Sequence, residues 1–456
     1  MIRMPLDQVA AAVGAAAAGP GAPLVMGVDI DSRRLRAGAL FVAIRGERTD
    51  GHDHLASARA AGAVAALVSR PVDDPLPQLL VADTVRALGD LARVWRHRLP
   101  TRIAALTGSN GKTTVKTLAA AILGEVGTTR ATPGNLNNEI GLPLTVLSLD
   151  PADRFAVLEM GAGQPGDIAW LAGIGLPHAA LVNNVGPAHL QRLGSVEGVA
   201  REKSAIYAAL PAEGISVLPA DDAQQAILEA AAAGHRLLRF GLSAAAEVRA
   251  SDLQVEADVQ RFTLHAKGES ADVALALAGV HNVRNALAAS ALALALGATL
   301  EDCVLGLSQV TAVPGRLAAR LHPSGARIFD DSYNANPASV RAGIEALCGR
   351  GERVIAVLGD MAELGPTGPA LHRELGAWAA AQGVEALLAL GPLGRETVAG
   401  AGRMGQHHEQ LDGLLAALQP RLAPGVTVLV KGSRSAGMER VVRALFADAA
   451  PAAEGH

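Results

Sequence analysis

The residues with the clearest chemical potential in this chain run from Thr107 through Gly108, Ser109, Asn110, Gly111, Lys112 and Thr113 to Thr114. Glycines at 108 and 111 let the backbone turn tightly enough for consecutive N–H groups to face phosphate oxygens, and a helix starting behind them adds its positive dipole end. Lys112 is then placed to reach the terminal phosphates, and the Thr113 hydroxyl to ligate Mg²⁺. The flanks agree with this. Ile103-Ala104-Ala105-Leu106 has the pattern of a buried strand, and Leu118, Ile122 and Val126 recur every four residues like one face of a helix. The spacing differs from the standard G-x-x-x-x-G-K-[ST], because Leu106 stands where that motif has its first glycine. An ordinary Gly-Ser-Asn turn is the plainer alternative, and the strand-to-helix setting of Gly-Lys-Thr-Thr weighs against it.

A phosphate site needs counter-charges and metal ligands around it. Phe155-Ala156-Val157-Leu158-Glu159-Met160-Gly161 reads as a buried strand that delivers Glu159 at its C-terminal end, the edge at which α/β sheets bind ligands. Glu159 is therefore expected to meet the Mg²⁺ held by Thr113. The next strand, Ala179 to Asn184, leads through Val185-Gly186-Pro187-Ala188 to His189. A lone histidine in such a place is more often structural than catalytic. Then Val196, Val199, Lys203, Ile206 and Leu210 recur at spacings of three and four, which puts Lys203 on the apolar stripe of a helix. A buried ammonium is costly, so Lys203 is expected to be paired, neutral or chemically modified, unless its stem packs while its head reaches water.

Lysine usage sharpens the point. Among 40 basic residues only Lys112, Lys116, Lys203, Lys267 and Lys431 are lysine. A chain that otherwise uses arginine keeps lysine where arginine would not serve, which singles out Lys203 and Lys431 for chemistry. Lys431 and Arg434, with Gly432 and Ser433 between them, form a candidate carboxylate pocket. Two further features have plainer readings. Asn282 suits a helix N-cap before Ala286 to Leu296. Asp50-Gly51-His52-Asp53-His54 is a solvated turn rather than a metal site. Ser32 and Arg33 could hold a phosphate or simply lie on an exposed loop.

At 456 residues the chain is too long for one core, and about three domains are expected. We read an α/β protein: residues 1–98 as an N-terminal α/β domain, 99–312 as a central P-loop domain with a mostly parallel sheet, and 313–456 as a Rossmann-like domain. The first contains strands at Val25 to Ile30, Gly38 to Gly46 and Ala63 to Val68. The last alternates strands with helices through Ile328 to Asp331, Val354 to Leu358, Ala386 to Leu390 and Thr427 to Val430. The longest apolar run, Ala286 to Leu300, contains Ser290 and Thr299 and falls short of the roughly 20 residues needed to span a bilayer. The N-terminus lacks the basic-then-apolar order of a signal peptide, and Cys303 and Cys348 have no metal-ligand spacing, so a cytoplasmic setting is expected. A net charge of −4 without a basic run speaks against nucleic acid as a partner.

Taken together, several stretches resemble the Mur ligase family over nearly the whole chain. They are Thr107 to Thr114, Gly134-Asn135-Leu136-Asn137-Asn138-Glu139-Ile140-Gly141, Glu159, Asn183-Asn184 with His189, Lys203, His281-Asn282 with Asn285, and Asp330 to Pro337. The shifted glycine of the phosphate loop is similar to that family too. The Gly134 to Asn138 loop, Asp331 to Pro337, Leu358 to Gly365 and Val430 to Arg434 resemble the branch that adds a dipeptide. The Asp-Asn-Pro-Arg motif of the diaminopimelate-adding branch is absent.

The resemblance implies an ATP-dependent ligase that joins D-alanyl-D-alanine to UDP-N-acetylmuramoyl-tripeptide through an acyl phosphate, working as a monomer with two Mg²⁺ ions. It implies that Gly108, Ser109, Asn110, Gly111, Lys112, Thr113 and Thr114 hold the phosphates. Thr113 and Glu159 would take one Mg²⁺, and His189 with a carbamylated Lys203 the other. Asn282 and Asn285 would lie by the adenine, with Arg316 and Asp331 reaching the nucleotide from the last domain. Ser32 and Arg33 would belong to the uridine-nucleotide pocket of the first domain, and Lys431 and Arg434 to the dipeptide pocket. Two alternatives remain at this stage. One is another amide ligase of the family, adding diaminopimelate or lysine or resembling folylpolyglutamate synthase. The other is a nucleotide switch using the phosphate loop alone.

Overall fold

A computed structural model describes residues 1–16, 22–46, 48–255, 259–311, 313–348 and 352–447. Ala312, where the second domain boundary is expected, lies outside the described residues.

Short apolar runs separated by turns produce three principal sheets. The N-terminal sheet has four parallel strands in chain order: β1 (Val28–Asp29), β2 (Leu40–Val42), β3 (Ala65–Val68) and β4 (Gln78–Leu80). The expected strand from Val25 to Ile30 is broken. Gly27 has a left-handed φ of 127°, so Leu24–Val25 pairs with Met4–Pro5 while β1 turns to β2. In the Asp50 turn Asp53 and His54 are exposed, but His52 is 2% exposed and holds Asp50 and the Ser69 main chain through its two ring nitrogens.

The central sheet contains β5 (Arg102–Thr107), β6 (Thr129–Ala131), β7 (Phe155–Glu159), β8 (Ala179–Val182), β9 (Ile215–Pro219), β10 (Arg236–Gly241), β11 (Val248–Val255), β12 (Gln260–Ala266) and β13 (Glu269–Leu275). Their order across the sheet is β13-β12-β11-β10-β9-β8-β5-β7-β6, parallel except for the β11-β12-β13 meander at one edge. β5 lies between β7 and β8, so the phosphate loop, Glu159 and Asn183 emerge side by side at one edge. The last domain holds β14 (Ala318–Leu321), β15 (Arg327–Asp331), β16 (Arg353–Gly359), β17 (Ala386–Leu390), β18 (Gly405–His408) and β19 (Val426–Lys431). These are ordered β14-β15-β19-β16-β17-β18, and only β14 is antiparallel.

The abundance of alanine and scarcity of aromatics act through close helix packing. Helix α1 (Thr84–Arg96) lies over the junction of the first two domains, and α2 (Lys112–Val126) follows the phosphate loop. After α3 (Val196–Ser204) come α4 (Val280–Ala295) and α5 (Leu300–Gln309). Ala286, Ala288, Ala289, Ala291 and Ala293 are all buried, so α4 is enclosed on every side from Asn285 to Leu294. Gly306 of α5 lies so close to the Ile122 main chain that a Cβ there would overlap it. Small residues thus fix the depth at which α2 sits and, with it, the direction of the loop at its start.

α1 ties the first domain to the second. Trp95 Nε1 donates to Leu149 O at 3.2 Å, and Arg96 Nε donates to Gly175 O at 2.9 Å. One apolar cluster runs from Ile2, Leu88 and Leu91 into Leu142, Leu158 and Ile168. Two helix readings change. The stripe carrying Lys203 leaves α-helical geometry after Ser204 and continues as a 3₁₀ turn, Ala205–Ala209. α4 starts at Val280 behind Gly279, so Asn282 lies within its first turn and is not its N-cap. Among the described residues no helix is long and apolar enough to cross a membrane.

Candidate functional site

The phosphate loop is held by amides. Gly111 has a φ of 77°, and a Cβ there would come within 2.7 Å of Asn183 Nδ2 and overlap Asn285. Asn110 N–H donates to Asn184 Oδ1 at 2.8 Å, and Asn183 Nδ2 donates to Asn110 O at 2.9 Å and to Asn285 Oδ1 at 3.0 Å. Asn285 Nδ2 in turn donates to Asn282 Oδ1, whose own Nδ2 donates to Ala278 O. The cap reading of Asn282 is replaced by a chain of amides that links α4 to the loop. Ser109 is fixed by its Oγ donating to Gly186 O. The loop is thereby shaped before any phosphate arrives, which lowers the ordering cost of binding.

Two cavities meet on this loop. One, of about 300 Å³, is lined by Gly111, Lys112, Asn282, Asn285, Asp331 and Lys431 among others. The other, of about 790 Å³, is lined by Lys112, Asn137, Glu159, His189 and Tyr333 and extends to Arg86 of the first domain. Lys112 and Arg316 face both. Lys112 Nζ donates to Gly108 O at 2.8 Å, and burial pushes its ammonium below the ordinary lysine range, against the pull of Glu159. Arg316 Nη2 donates to Thr113 Oγ1 at 3.3 Å, and its guanidinium lies 4.2 Å from the centre of the Tyr333 ring. A group passing between the two cavities would pass these two cations.

Glu159 is 2% exposed. Its Oε1 accepts from Asn137 Nδ2 at 2.7 Å, while Oε2 has no hydrogen bond and faces Lys116 Nζ at 3.4 Å. The buried Thr107 hydroxyl also lacks a hydrogen-bond partner. Bare buried oxygens at a phosphate loop fit a hard cation such as Mg²⁺. Among the described residues no three His, Cys, Asp or Glu side chains gather, so such a cation would complete its shell with water and phosphate.

The remaining expected residues fall into distinct places. His189 lines the larger cavity in a left-handed conformation, φ 53°, with Nδ1 2.6 Å from Glu363 Oε2 of the last domain. Lys203 is 1% exposed and lines neither cavity. Burial, then repulsion from Lys112, push its amine well below the ordinary lysine value, with Glu202 opposing. Asp331 lines the smaller cavity and accepts from Lys431 Nζ at 2.6 Å. Lys431 and Arg434 are therefore not one carboxylate pocket. Lys431 is buried against Asp331 and Asn334 O, whereas Arg434 is exposed, reaches Glu439 and lines neither cavity. Ser32 and Arg33 likewise stand aside. Arg33 is 86% exposed and clasps Asp31, and a nearby cavity of about 440 Å³ is lined by Arg34 and Arg36 instead. Sequence reasoning gave no role to Lys116, Asn137, Glu363 or Asn336, the last of which donates to Asn110 Oδ1 at 2.7 Å. For Lys116 the scarcity of lysine was the available signal.

Family models match in three consecutive blocks: "Mur ligase family, catalytic domain" over residues 24–96, "Mur ligase middle domain" over 106–293, and "Mur ligase, glutamate ligase domain" over 315–434. The UDP-N-acetylmuramoyl-tripeptide–D-alanyl-D-alanine ligase of Escherichia coli K12 is 44% identical over 92% of this chain and 93% of its own. The chain belongs to the Mur ligase family. Among solved structures, MurF from Acinetobacter baumannii superposes with a TM-score of 0.92 at 34% identity, covering 98% of this chain and all of that one. The MurF ligase from Thermotoga maritima, solved in complex with ADP, gives 0.84 at 29% identity, covering 92% of this chain and 97% of that one. As in these Mur ligases, mostly parallel sheets form a three-domain α/β fold.

Proposed function

We propose that this Mur ligase uses ATP to join D-alanyl-D-alanine to UDP-N-acetylmuramoyl-tripeptide, in cytoplasmic peptidoglycan precursor synthesis. We take residues 1–98 to bind the UDP-linked acceptor, 99–312 to bind ATP, and 313–456 to close over both. The observation that carries the chemistry is that Lys112 and Arg316 face both cavities. In this reading the smaller cavity takes the nucleoside and the larger takes the peptide substrates.

The γ-phosphoryl group leaves ADP and bonds to a carboxylate oxygen of the tripeptide, giving an acyl phosphate. The dipeptide amine then attacks the acyl carbon, phosphate leaves with the C–O bonding pair, and the amine loses a proton. Neither step needs a protein nucleophile, because positioning and charge neutralisation supply most of the catalysis of phosphoryl transfer. Lys112 and Arg316 balance the charge on the moving phosphoryl group. The amides of Gly108 to Thr114 orient the phosphates, and Asn282, Asn285 and Asp331 border the nucleoside side. Thr113 and Glu159 would hold one Mg²⁺, and the bound ion would neutralise phosphate charge. For a second, Glu363 must yield His189 Nδ1 if that nitrogen is the ligand, and Lys203 must become a carbamate. Closure over the cavities protects the acyl phosphate from water.

Phosphate release measured against a panel of UDP-linked tripeptides and amine substrates tests this. Release is expected only with ATP, tripeptide and D-alanyl-D-alanine together. Release with ATP alone, or with glutamate or diaminopimelate in place of the dipeptide, would refute it.

A further inference from the structure

Lys116 lies one turn beyond Lys112 on α2, is 5% exposed, and takes no part in the transfer described above. Its Nζ donates to Gly134 O at 2.7 Å and lies 3.4 Å from Glu159 Oε2. Gly134 opens the loop that supplies Asn137, whose side chain holds Oε1 of the same carboxylate and whose carbonyl accepts from Gly161 N–H at 2.8 Å. One ammonium thus joins the phosphate helix, the amide loop and the end of β7. The contact with Oε2 is an ion pair without a hydrogen bond. The oxygen that Lys116 neutralises is therefore the one left open to a cation.

We propose that Lys116 is a positioning residue that makes cation binding at Glu159 depend on nucleotide. Without phosphates, Lys116 is the resident counter-charge of the carboxylate, and its own charge repels a divalent ion brought to the same oxygen in a poorly screened site. When nucleotide binds, its phosphates add enough negative charge for both cations to stay. Lysine suits this role better than arginine, because a guanidinium would clamp both carboxylate oxygens and leave none for metal. The inference rests on Glu159 being a cation ligand.

The test is Mn²⁺ titration of the full-length protein, with free Mn²⁺ followed by electron paramagnetic resonance, with and without ADP. Wild type should bind Mn²⁺ tightly only with ADP. Lys116→Met should tighten nucleotide-free binding at least about tenfold. Lys116→Gln, which keeps a donor for Gly134 O, should do the same even if the Met variant folds poorly. Adding Glu159→Gln to either variant should erase the gain. A merely structural tie would loosen the site, so nucleotide-free affinity equal to or weaker than wild type in the folded variants would overturn the proposal. If ADP left wild-type Mn²⁺ affinity unchanged, the reading of Glu159 would fall, and this inference with it.

Discussion

Lys203 holds an amine where the fold disfavours its charge: nearly fully buried, and repelled by Lys112. The neighbouring Glu202 is largely committed elsewhere, its two oxygens accepting from Gly166 N–H and Ile168 N–H at 2.7 and 2.8 Å. Both influences on Lys203 favour the neutral amine, the form that bonds to CO₂ and, on losing a proton, becomes a carbamate with oxygens for a metal. Arginine cannot lose its proton in this way. Lys203→Arg is therefore expected to be as damaging as Lys203→Ala, each lowering kcat about a thousandfold, or about 4 kcal/mol of barrier. Acetate at high concentration should restore part of the rate to the Ala variant only. A fully active Lys203→Arg enzyme would remove the carbamate. This residue was legible in the sequence because a lysine on an apolar stripe conflicts with its surroundings. For Lys116 the scarcity of lysine was the one signal, since its partners, Gly134 and Glu159, come from distant parts of the chain and nothing in its own stretch conflicts with a solvated lysine.

At the scale of elements, legibility followed the apolar pattern. β5, β7, β8 and β19 are short runs of buried aliphatic residues and stand where the sequence put them. The meander β11-β12-β13 went unread: β12 does alternate, with Phe262, Leu264 and Ala266 buried between more exposed residues, but β13 buries only Val273 and Leu275 and opens on polar residues. The start of α4 was displaced because Gly279, with φ 91°, begins the helix without a side-chain cap, while Asn282 spends its amide on Ala278 O and Asn285. One contact between elements should be visible in stability. His178 Nδ1 accepts from Ile103 N–H at 3.0 Å where β8 enters beside β5, so the ring is neutral there. Burial, with Arg96 and Arg102 nearby and Glu213 opposing, lowers its pKa below the ordinary histidine value of about 6.5. The folded state then binds fewer protons than the unfolded state between the lowered pKa and 6.5, so stability must fall as pH drops through that window. The midpoint of thermal unfolding should decline more steeply from pH 7 to pH 5 in wild type than in His178→Gln. Parallel profiles would mean that His178 does not contribute.

Across the whole molecule, the last domain meets the phosphate loop through a few polar contacts. Asn336 donates to Asn110, Arg316 donates to Thr113, and Glu363 binds His189. Each involves a residue that we place at the nucleotide or the cations, so docking of the domain and occupancy of the site act on the same atoms. Partly exposed polar contacts of this kind contribute only about 1 kcal/mol each. Domain motion is therefore the expected state without ligand. Nucleotide adds an attraction that the protein alone lacks, between its phosphates and Arg316. Small-angle scattering should show a smaller radius of gyration with a non-hydrolysable ATP analogue and the UDP-linked acceptor than without them. Asn336 makes the argument specific. In Asn336→Asp a carboxylate replaces the amide donor opposite Asn110 Oδ1, setting acceptor against acceptor beside the phosphates. That variant should need about tenfold more nucleotide analogue to compact, about 1.4 kcal/mol. Asn336→Ala, which loses the bond to Asn110 and the bond from Ser339 N–H but adds no charge, should need less than that. Equal compaction curves for wild type and both variants would show that the Asn336 contact plays no part in closure.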